Sequence, residues 1–524
     1  MYFVTLKCFG FVKNLGVLIF MTLVYNNTTC EQAIFTYAFS GQNLNNDNIV
    51  FTVKKLVSNF KRDFPLLFKD DFKNQGRPKE YYLDELLGFV VYGIYNNRFS
   101  CRGLADWINN NDESVNFILN DKEPKKSIIH LFLQKNTLLI NAFFHYTVIL
   151  GINLGLIDGE CVAVDGSIVK AHANNFRLIK IEEIEFLQNL ILDYGENWSK
   201  NSIWYKIHQY FNENKKHDEI NSLISEISDN LNKNALILLK TALISMDNLY
   251  YILDFLDVLK ANYDGKHTIS LTDPESRWMV DKKGNIGLNY NYQVAVDSKN
   301  GMVVGQYLTQ NVTDANELFE MLHEIKIQMG INPQVLVADN GYMNDNAIKY
   351  AYENNIRLLI PDRAESSKSK PKNKEKPFTK PNFTYDWKTD SFICPIGEQL
   401  LYKNDRKLNG DWMRVYSTNK CKTCKVKNQC TKSRVKEIFE PVNDLRWKMK
   451  ADIKSPEGKI YYKKRANLNE AHFGLLRNVR NFKKLNRTGM KNAEKELTIH
   501  SIAHIQKNTR KTKRNTHLNK KTNK

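Results

Sequence analysis

The stretch VLVADNGYM, residues 335–343, decides the fold: an apolar run ends on Asp339, and a glycine follows two residues later. The same design occurs earlier in CVAVDGSIVKAHAN, residues 161–174, where Cys161 to Val164 lead into Asp165 and Gly166. A lone aspartate after a strand caps the next turn more often than it does anything else. Two such ends in one chain point instead to carboxylates at the mouth of a sheet, fixed by buried strands and able to coordinate a hard cation. Gly166 and Gly341 would let backbone or substrate approach closely.

Reading outward from the two acids gives a mixed α/β pattern. Strands are expected over residues 161–173, 289–297 (NYNYQVAVD) and 302–310 (MVVGQYLTQ), then a helix over 315–329, the strand ending at Asp339, a helix over 345–354 and a strand over 356–361. Sheets of this kind carry their chemistry at strand ends. Residues 81–136 read as a compact helical unit of helix-turn-helix character, with Ser100 and Ser127 placed as N-caps. From about 176 to 260 the pattern is helical again, and the stripe Ile184, Leu187, Leu190 and Ile191 reads as the core of a helical insertion.

At 524 residues the chain has room for several domains. Its 76 Lys+Arg against 57 Asp+Glu give a formal charge of +19, which favours a polyanionic partner. Cys8, Cys30, Cys101 and Cys161 are scattered, whereas four more lie between 394 and 430. That distribution argues against a disulfide framework and for a reducing interior with one metal site, hence a cytoplasmic protein. Residues 15–25, LGVLIFMTLVY, follow Lys7 and Lys13 in the manner of a signal peptide. No small-residue cleavage site follows, and the run is too short to cross a bilayer, so no membrane role is expected; Met21 is an alternative start.

Two carboxylates hold two magnesium ions poorly, and YYKKRANLNEAHFGLLRNVR, residues 461–480, offers a third in Glu470. It lies in an expected helix among Arg465, Arg477 and Arg480, which, with Lys483, Lys484 and Arg487 just beyond, would flank a phosphate backbone. An acid in a basic helix is otherwise a surface ion-pair member of little energetic weight.

Asp165, Asp339 and Glu470 resemble the three acids of the DDE transposases of bacterial insertion sequences, which have an RNase H-like core. The resemblance extends to TDPESRWM (272–279), YNYQVAVD (290–297), NVTDANEL (311–318), RTGMKNAEKEL (487–497) and the opening of the helical module, GRPKEYYLDELLG (76–88). It covers about residues 76–508. In the Tyr-Arg-Glu-Lys signature of related transposases, Tyr462, Arg465 and Glu470 have counterparts, but one extra residue separates Arg465 from Glu470, and Arg477 stands where lysine is usual. The resemblance implies two Mg²⁺ or Mn²⁺ ions about 3.5–4 Å apart, cleavage of DNA at terminal inverted repeats, strand transfer into target DNA and a homo-oligomeric active complex. The alternatives are an RNase H-like nuclease or resolvase without strand transfer, and an inactive DNA-binding derivative.

The intervals between the acids, 339 − 165 = 174 and 470 − 339 = 131, are long for one compact fold. The helical insertion lengthens the first. The second contains a Lys/Pro-rich linker, residues 366–383, and then CKTCKVKNQC, which with the upstream Cys394 supplies Cys421, Cys424 and Cys430 for a structural zinc. Four thiolates leave no open position, so catalytic zinc is not expected.

The expected fold is thus α/β: an RNase H-like mixed sheet with a helical insertion, preceded by an all-helical DNA-binding module, with a small Cys-rich insertion before the last catalytic helix. Its limits are an N-terminal extension (1–75), the module (76–155), the first part of the core (156–365, with the insertion at 176–265), the linker and cysteine segment (366–440), the C-terminal catalytic part (441–508) and a basic, disordered tail (509–524).

Overall fold

The computed structural model describes residues 49–72, 80–110, 112–196, 231–242, 246–361, 377–386, 389–408, 410–442 and 444–503. The signal-like stretch at 15–25, Cys8, Cys30, most of the Lys/Pro-rich linker and the basic tail lie outside them. The chain is a mixed α/β protein, and no described helix is long and apolar enough to cross a membrane.

Among the described residues, six α-helices come first: α1 (Ile49–Asp63), α2 (Leu83–Tyr95), α3 (Cys101–Ile108), α4 (Glu113–Leu119), α5 (Lys126–Lys135) and α6 (Thr137–Asn153). Helix α1 precedes the stretch read as the module and packs into it through Val50, Val53, Val57 and Phe60. Ser100 does cap α3, accepting from the Gly103 N–H at 3.0 Å. Ser127 does not cap α5, because that helix begins at Lys126 and the serine falls in its first turn. The cap of α4 is Asp112, whose Oδ1 takes the N–H groups of Ser114 and Val115.

The main sheet holds β1 (Cys161–Lys170), β4 (Arg277–Val280), β5 (Ile286–Asp297), β6 (Val303–Thr309), β7 (Val335–Val337) and β8 (Arg357–Leu359). Its order is β4–β5–β1–β7–β8, with β6 also paired to β5. Strands β1, β7 and β8 are mutually parallel, and β5 runs antiparallel to β1, β4 and β6. The expected strands and helices of this region form within a few residues of their expected limits; β4 is an addition. This order and hand of pairing are compatible with an RNase H-like core.

Alternation along β1 sends its side chains to two different cores. Val162 and Val164 join the large cluster shared with α6, α10 (Glu317–Met329) and α11 (Asp345–Glu353). Cys161 and Ala163 face the other way, toward Val335, Val337, Leu359, Ile453 of α13 (Asp444–Lys454) and the tyrosines of α14 (Pro456–Gly474). A helix through residues 490–503 ties the N-terminal helices to this core: the Lys495 ammonium donates to the Gln134 carbonyl at 3.2 Å, and the His500 ring lies 5.0 Å from that of Phe99.

The insertion between β1 and β4 contains α7 (Ile181–Glu196), α8 (Lys233–Ala242) and α9 (Met246–Ala261) and is closed at its base by the ribbon β2 (Leu178–Ile179) and β3 (Ile269–Ser270). It has its own core, in which Ile184, Leu187 and Ile191 are buried and Leu190 is partly so. The cysteine segment is more than a knuckle. It is a five-stranded antiparallel sheet, ordered β13–β12–β11–β10–β9, from β9 (Thr384–Asp386), β10 (Ser391–Ile393), β11 (Gln399–Leu408), β12 (Asp411–Ser417) and β13 (Glu437–Pro441). The short helix α12 (Lys427–Cys430) lies between its last two strands.

Candidate active site

Strands β1 and β7 pair in parallel with Cys161 opposite Val335, Val162 opposite Leu336 and Ala163 opposite Val337. Each pair differs by 174, the interval between Asp165 and Asp339. Carried two residues past the ladder, the register brings the two aspartates side by side, although only Asp339 lies past a strand end: β1 does not stop at Asp165, as expected of a strand-end acid, but runs on to Lys170 because β5 keeps pairing with it. Asp165 Oδ1 accepts from the Gly166 N–H at 3.0 Å, and Asp339 Oδ1 from the Gly341 N–H at 2.7 Å. Asp339 therefore caps its turn, which leaves its Oδ2 oxygen outside that hydrogen bond. Burial pushes the Asp165 carboxyl above the usual carboxylate range; Lys282 and Arg465 pull it down, and the Asp339 charge adds to the rise.

The neighbour across this pair is α14, started by Ser455, whose hydroxyl accepts from the Gly458 N–H at 2.9 Å, and by Pro456. Its inner face brings Arg465 Nη1 to 3.8 Å from Asp165 Oδ2. The same guanidinium lies 5.8 Å from the centre of the Tyr462 ring. Burial raises the Tyr462 hydroxyl pKa, Arg465 lowers it, and Asp339 and Asp165 add to the rise. Beyond the helix's end Arg477 donates to the Ser167 hydroxyl, which shares a face of β1 with Asp165. Arg477 and Lys282 both lie within 6 Å of the Phe473 ring centre.

Glu470 does not join the pair. Five residues past Arg465 places it about 140° around the helix, and it is exposed. Among the described residues, no three His, Cys, Asp or Glu side chains are set to hold one metal ion. The position facing inward is Asn469, 1 % exposed, with neither side-chain amide atom hydrogen-bonded. Immediately after α14, residues Leu475–Val479 form a π-helix, in which one extra residue shifts the helical phase.

As a seat for a divalent cation, the site offers two adjacent hard-oxygen donors on rigid strands and the orphaned Asn469 amide on the facing helix. Those donors fit Mg²⁺ or Mn²⁺ in type.

The basic residues divide. Lys483 and Lys484 are exposed, Arg477 is exposed beside Ser167, and Arg487 is half-buried with Nη2 3.3 Å from Cys101 Sγ. Arg480 departs from its expected role in DNA binding: it is 3 % exposed, donates to the His500 carbonyl, and is pulled down to about 10 by burial. A guanidinium spent inside the core cannot meet a phosphate without unpacking it.

Cys394, Cys421, Cys424 and Cys430 are free thiols lining one hollow with Phe383 and Leu400. Cys394 sits in a tight turn, in which Gly397 (φ +89°) donates its N–H to the Cys394 carbonyl at 2.8 Å. The Glu398 N–H points at the Cys394 sulfur at 3.3 Å. Only the second turn, CKTC, has the spacing that a sequence reveals.

Nothing in NVTDANEL marks Asp314 as a site residue. The structure puts Asp314 beside the two aspartates: its Oδ1 accepts from Asn291 Nδ2 at 2.8 Å and from Gln293 Nε2 at 2.7 Å. Lys282, beside Asp165, is the other unassigned residue, and nothing in its local sequence marks it.

Residues 393–510 match a family model described as a transposase DDE domain. No curated protein matches the chain.

Proposed function

We propose, from the match of residues 393–510 to a transposase DDE domain, that this protein cleaves DNA at terminal inverted repeats and joins the freed ends to target DNA. The observation that carries this reading is the register of Asp165 and Asp339, two carboxylates from distant parts of the sequence on neighbouring parallel strands and facing a basic helix. The strand order of the main sheet supports an RNase H-like core.

Asp165 and Asp339 would hold divalent cations, Mg²⁺ or Mn²⁺ and two in number, which would supply an activated hydroxyl and charge neutralisation at the leaving oxygen. Asp165 and Asp339 present ligand oxygens from fixed backbone, so little side-chain order has to be established on binding. Arg465 holds the Asp165 carboxylate and balances its charge. Arg477, with Lys483, Lys484 and Arg487, lies along the expected path of the phosphate backbone. Glu470 would enter as the third acid if the extra residue of the neighbouring π-turn moved into α14 between Arg465 and Asn469, which would exchange Glu470 for Asn469 and leave Arg465 on Asp165.

The N-terminal helices would read the terminal repeats, with α5 as the groove helix because Lys126, Ser127, His130, Gln134 and Lys135 are all exposed on it. The four cysteines would hold a structural zinc, and the active complex would be a homo-oligomer acting on nucleoid DNA in the cytoplasm.

Single Asp165→Asn, Asp339→Asn and Glu470→Gln variants, assayed with Mn²⁺ on terminal-repeat DNA, test the reading. Each should lose cleavage by several orders of magnitude and keep DNA binding within a few-fold. Near wild-type cleavage by any one of them removes that residue from the site, and cleavage without joining by the wild type marks a nuclease.

A further inference from the structure

Behind the two aspartates, on the face of the sheet opposite α14, lies a buried chain of hydrogen bonds. Its first member is Asp314, whose Oδ1 receives Asn291 Nδ2 and Gln293 Nε2. Gln293 is fully buried, and its remaining amide atom, Oε1, accepts from the hydroxyl of Tyr342, also fully buried. Tyr342 ends the short 3₁₀ turn, Asn340–Tyr342, that Asp339 caps. The chain thus runs from Asp314 through Gln293 and Tyr342 to the backbone carrying Asp339.

Donor and acceptor roles are fixed throughout. A carboxylate oxygen only accepts, so Gln293 must turn its NH₂ toward Asp314 and its carbonyl toward Tyr342, and the phenol must donate. Reversing the amide would set its carbonyl against the Asp314 carboxylate and leave the phenol facing NH₂, a cost of several kcal/mol in a buried network. The space is equally determined. A Cβ on Gly166 would stand 2.6 Å from Asp314 Oδ1 and 2.7 Å from Gln293 Nε2, and one on Gly341 would stand 2.9 Å from Asp339 Oδ1 and 3.7 Å from Asp314 Oδ2. Gly166 is therefore required by this chain of contacts, and Gly341 by the Asp339 carboxylate that its N–H meets. Asp314 reaches Asp339 along a path separate from α14.

We propose that Asp314 is a positioning residue for Asp339, acting through Gln293 and Tyr342 to set the carboxylate at the register of Asp165. The proposal rests on the reading of Asp165 and Asp339 as the acids that meet the cation. Residues that orient a metal ligand through hydrogen bonds change affinity or activity by about 10–100-fold when removed.

The experiment uses the full-length chain carrying Asp314→Ala, Asp314→Asn or Tyr342→Phe, beside Asp165→Asn and Asp339→Asn. Three quantities are read: Mn²⁺ binding by electron paramagnetic resonance without DNA, the cleavage rate at saturating DNA, and the thermal midpoint. Asp314→Ala and Tyr342→Phe should weaken Mn²⁺ binding and slow cleavage by about tenfold or more, with DNA affinity unchanged. Asp314→Asn keeps an acceptor oxygen for Gln293 and should recover most of both. Unchanged Mn²⁺ binding and cleavage in Asp314→Ala and Tyr342→Phe, with the Asp165 and Asp339 variants inactive, overturns the relay and leaves the active site standing. Active Asp165→Asn and Asp339→Asn variants overturn the site itself. A loss in Tyr342→Phe that only follows a fallen thermal midpoint, with normal Mn²⁺ binding in the folded fraction, also overturns the relay.

Discussion

Arg465 on α14 and Asp165 on β1 lie 300 positions apart in the chain and meet with Nη1 3.8 Å from Oδ2. Both side chains are largely buried, at 21 % and 16 % exposure, so solvent screens the pair less than it would a surface pair. Burial already holds the Asp165 carboxyl above its usual range, and Arg465 is one of two cations restraining that rise. Arg465→Gln removes the restraint, so protonation should persist to higher pH. The acidic limb of the cleavage profile should move upward, with a rate loss of about tenfold near neutrality. A pH–rate profile identical to that of the wild type would exclude this role for Arg465.

Gly166→Ala should be costly at a position where alanine suits a strand. Its Cβ would meet Asp314 Oδ1 and Gln293 Nε2 at 2.6 and 2.7 Å, and both atoms are held by hydrogen bonds. Overpacking of this kind costs about 1–3 kcal/mol, readable in denaturant titrations. Stability equal to wild type would mean the two polar groups have room to retreat.

A zinc ion held by the four thiols would make the cysteine sheet dependent on metal. Purified under reducing conditions without chelator, the protein should hold about one zinc per chain. Cys394→Ser and Cys424→Ser should each lose it and loosen the sheet between residues 384 and 441, because binding and folding are coupled. Metal analysis and limited proteolysis check this, and reduced protein with no zinc ends the idea.

Two glutamates on the helix at 490–503 give the fold a pH dependence. Burial pushes Glu494 up to about 7, with Glu324 adding to the effect, and burial pushes Glu496 to about 7 against two bonds from Asn486. The folded state therefore holds protons that the unfolded chain releases near 4.5. The stability these groups contribute is fully present below about 4.5 and is lost as pH rises through about 7. Glu494→Gln should flatten part of that slope, raising the thermal midpoint at pH 8 by a few degrees and leaving it unchanged near pH 4.5. Equal differences at both pH values would contradict the assignment.

DNA recognition should divide between the two ends of the chain. Removing residues 509–524 takes away seven basic side chains, Arg510, Lys511, Lys513, Arg514, Lys520, Lys521 and Lys524. Binding should then weaken for all sequences alike, with a shallower salt dependence. Substituting the exposed α5 residues Lys126, His130 and Gln134 with alanine should instead erase discrimination between terminal-repeat and random DNA. Gel-shift titrations at two salt concentrations separate the outcomes; loss of discrimination in the tail deletion alone would reverse the assignment.

Local sequence determined much of this protein. Strand periodicity around residues 161–170, 286–297 and 335–337 is a property of short runs, and the acids that follow two of the apolar runs, Asp165 and Asp339, are visible without coordinates. The stripe of Ile184, Leu187 and Ile191 specified a separate helical core for the same reason. What no local pattern contains is phase and partnership. Glu470 is a fitting acid in a fitting helix, yet a turn of 3.6 residues carries Asn469 inward in its place. Arg480 reads as one more cation of a basic segment until the packing of residues 490–503 buries it. Asp314 stands in an ordinary loop sequence and gains a role only because β5 offers Asn291 and Gln293 to it, with Tyr342 behind. Side chains from remote positions meet only when the sheet register is set. That register belongs to the tertiary structure, although its offset of 174 was present all along as the distance between two aspartates.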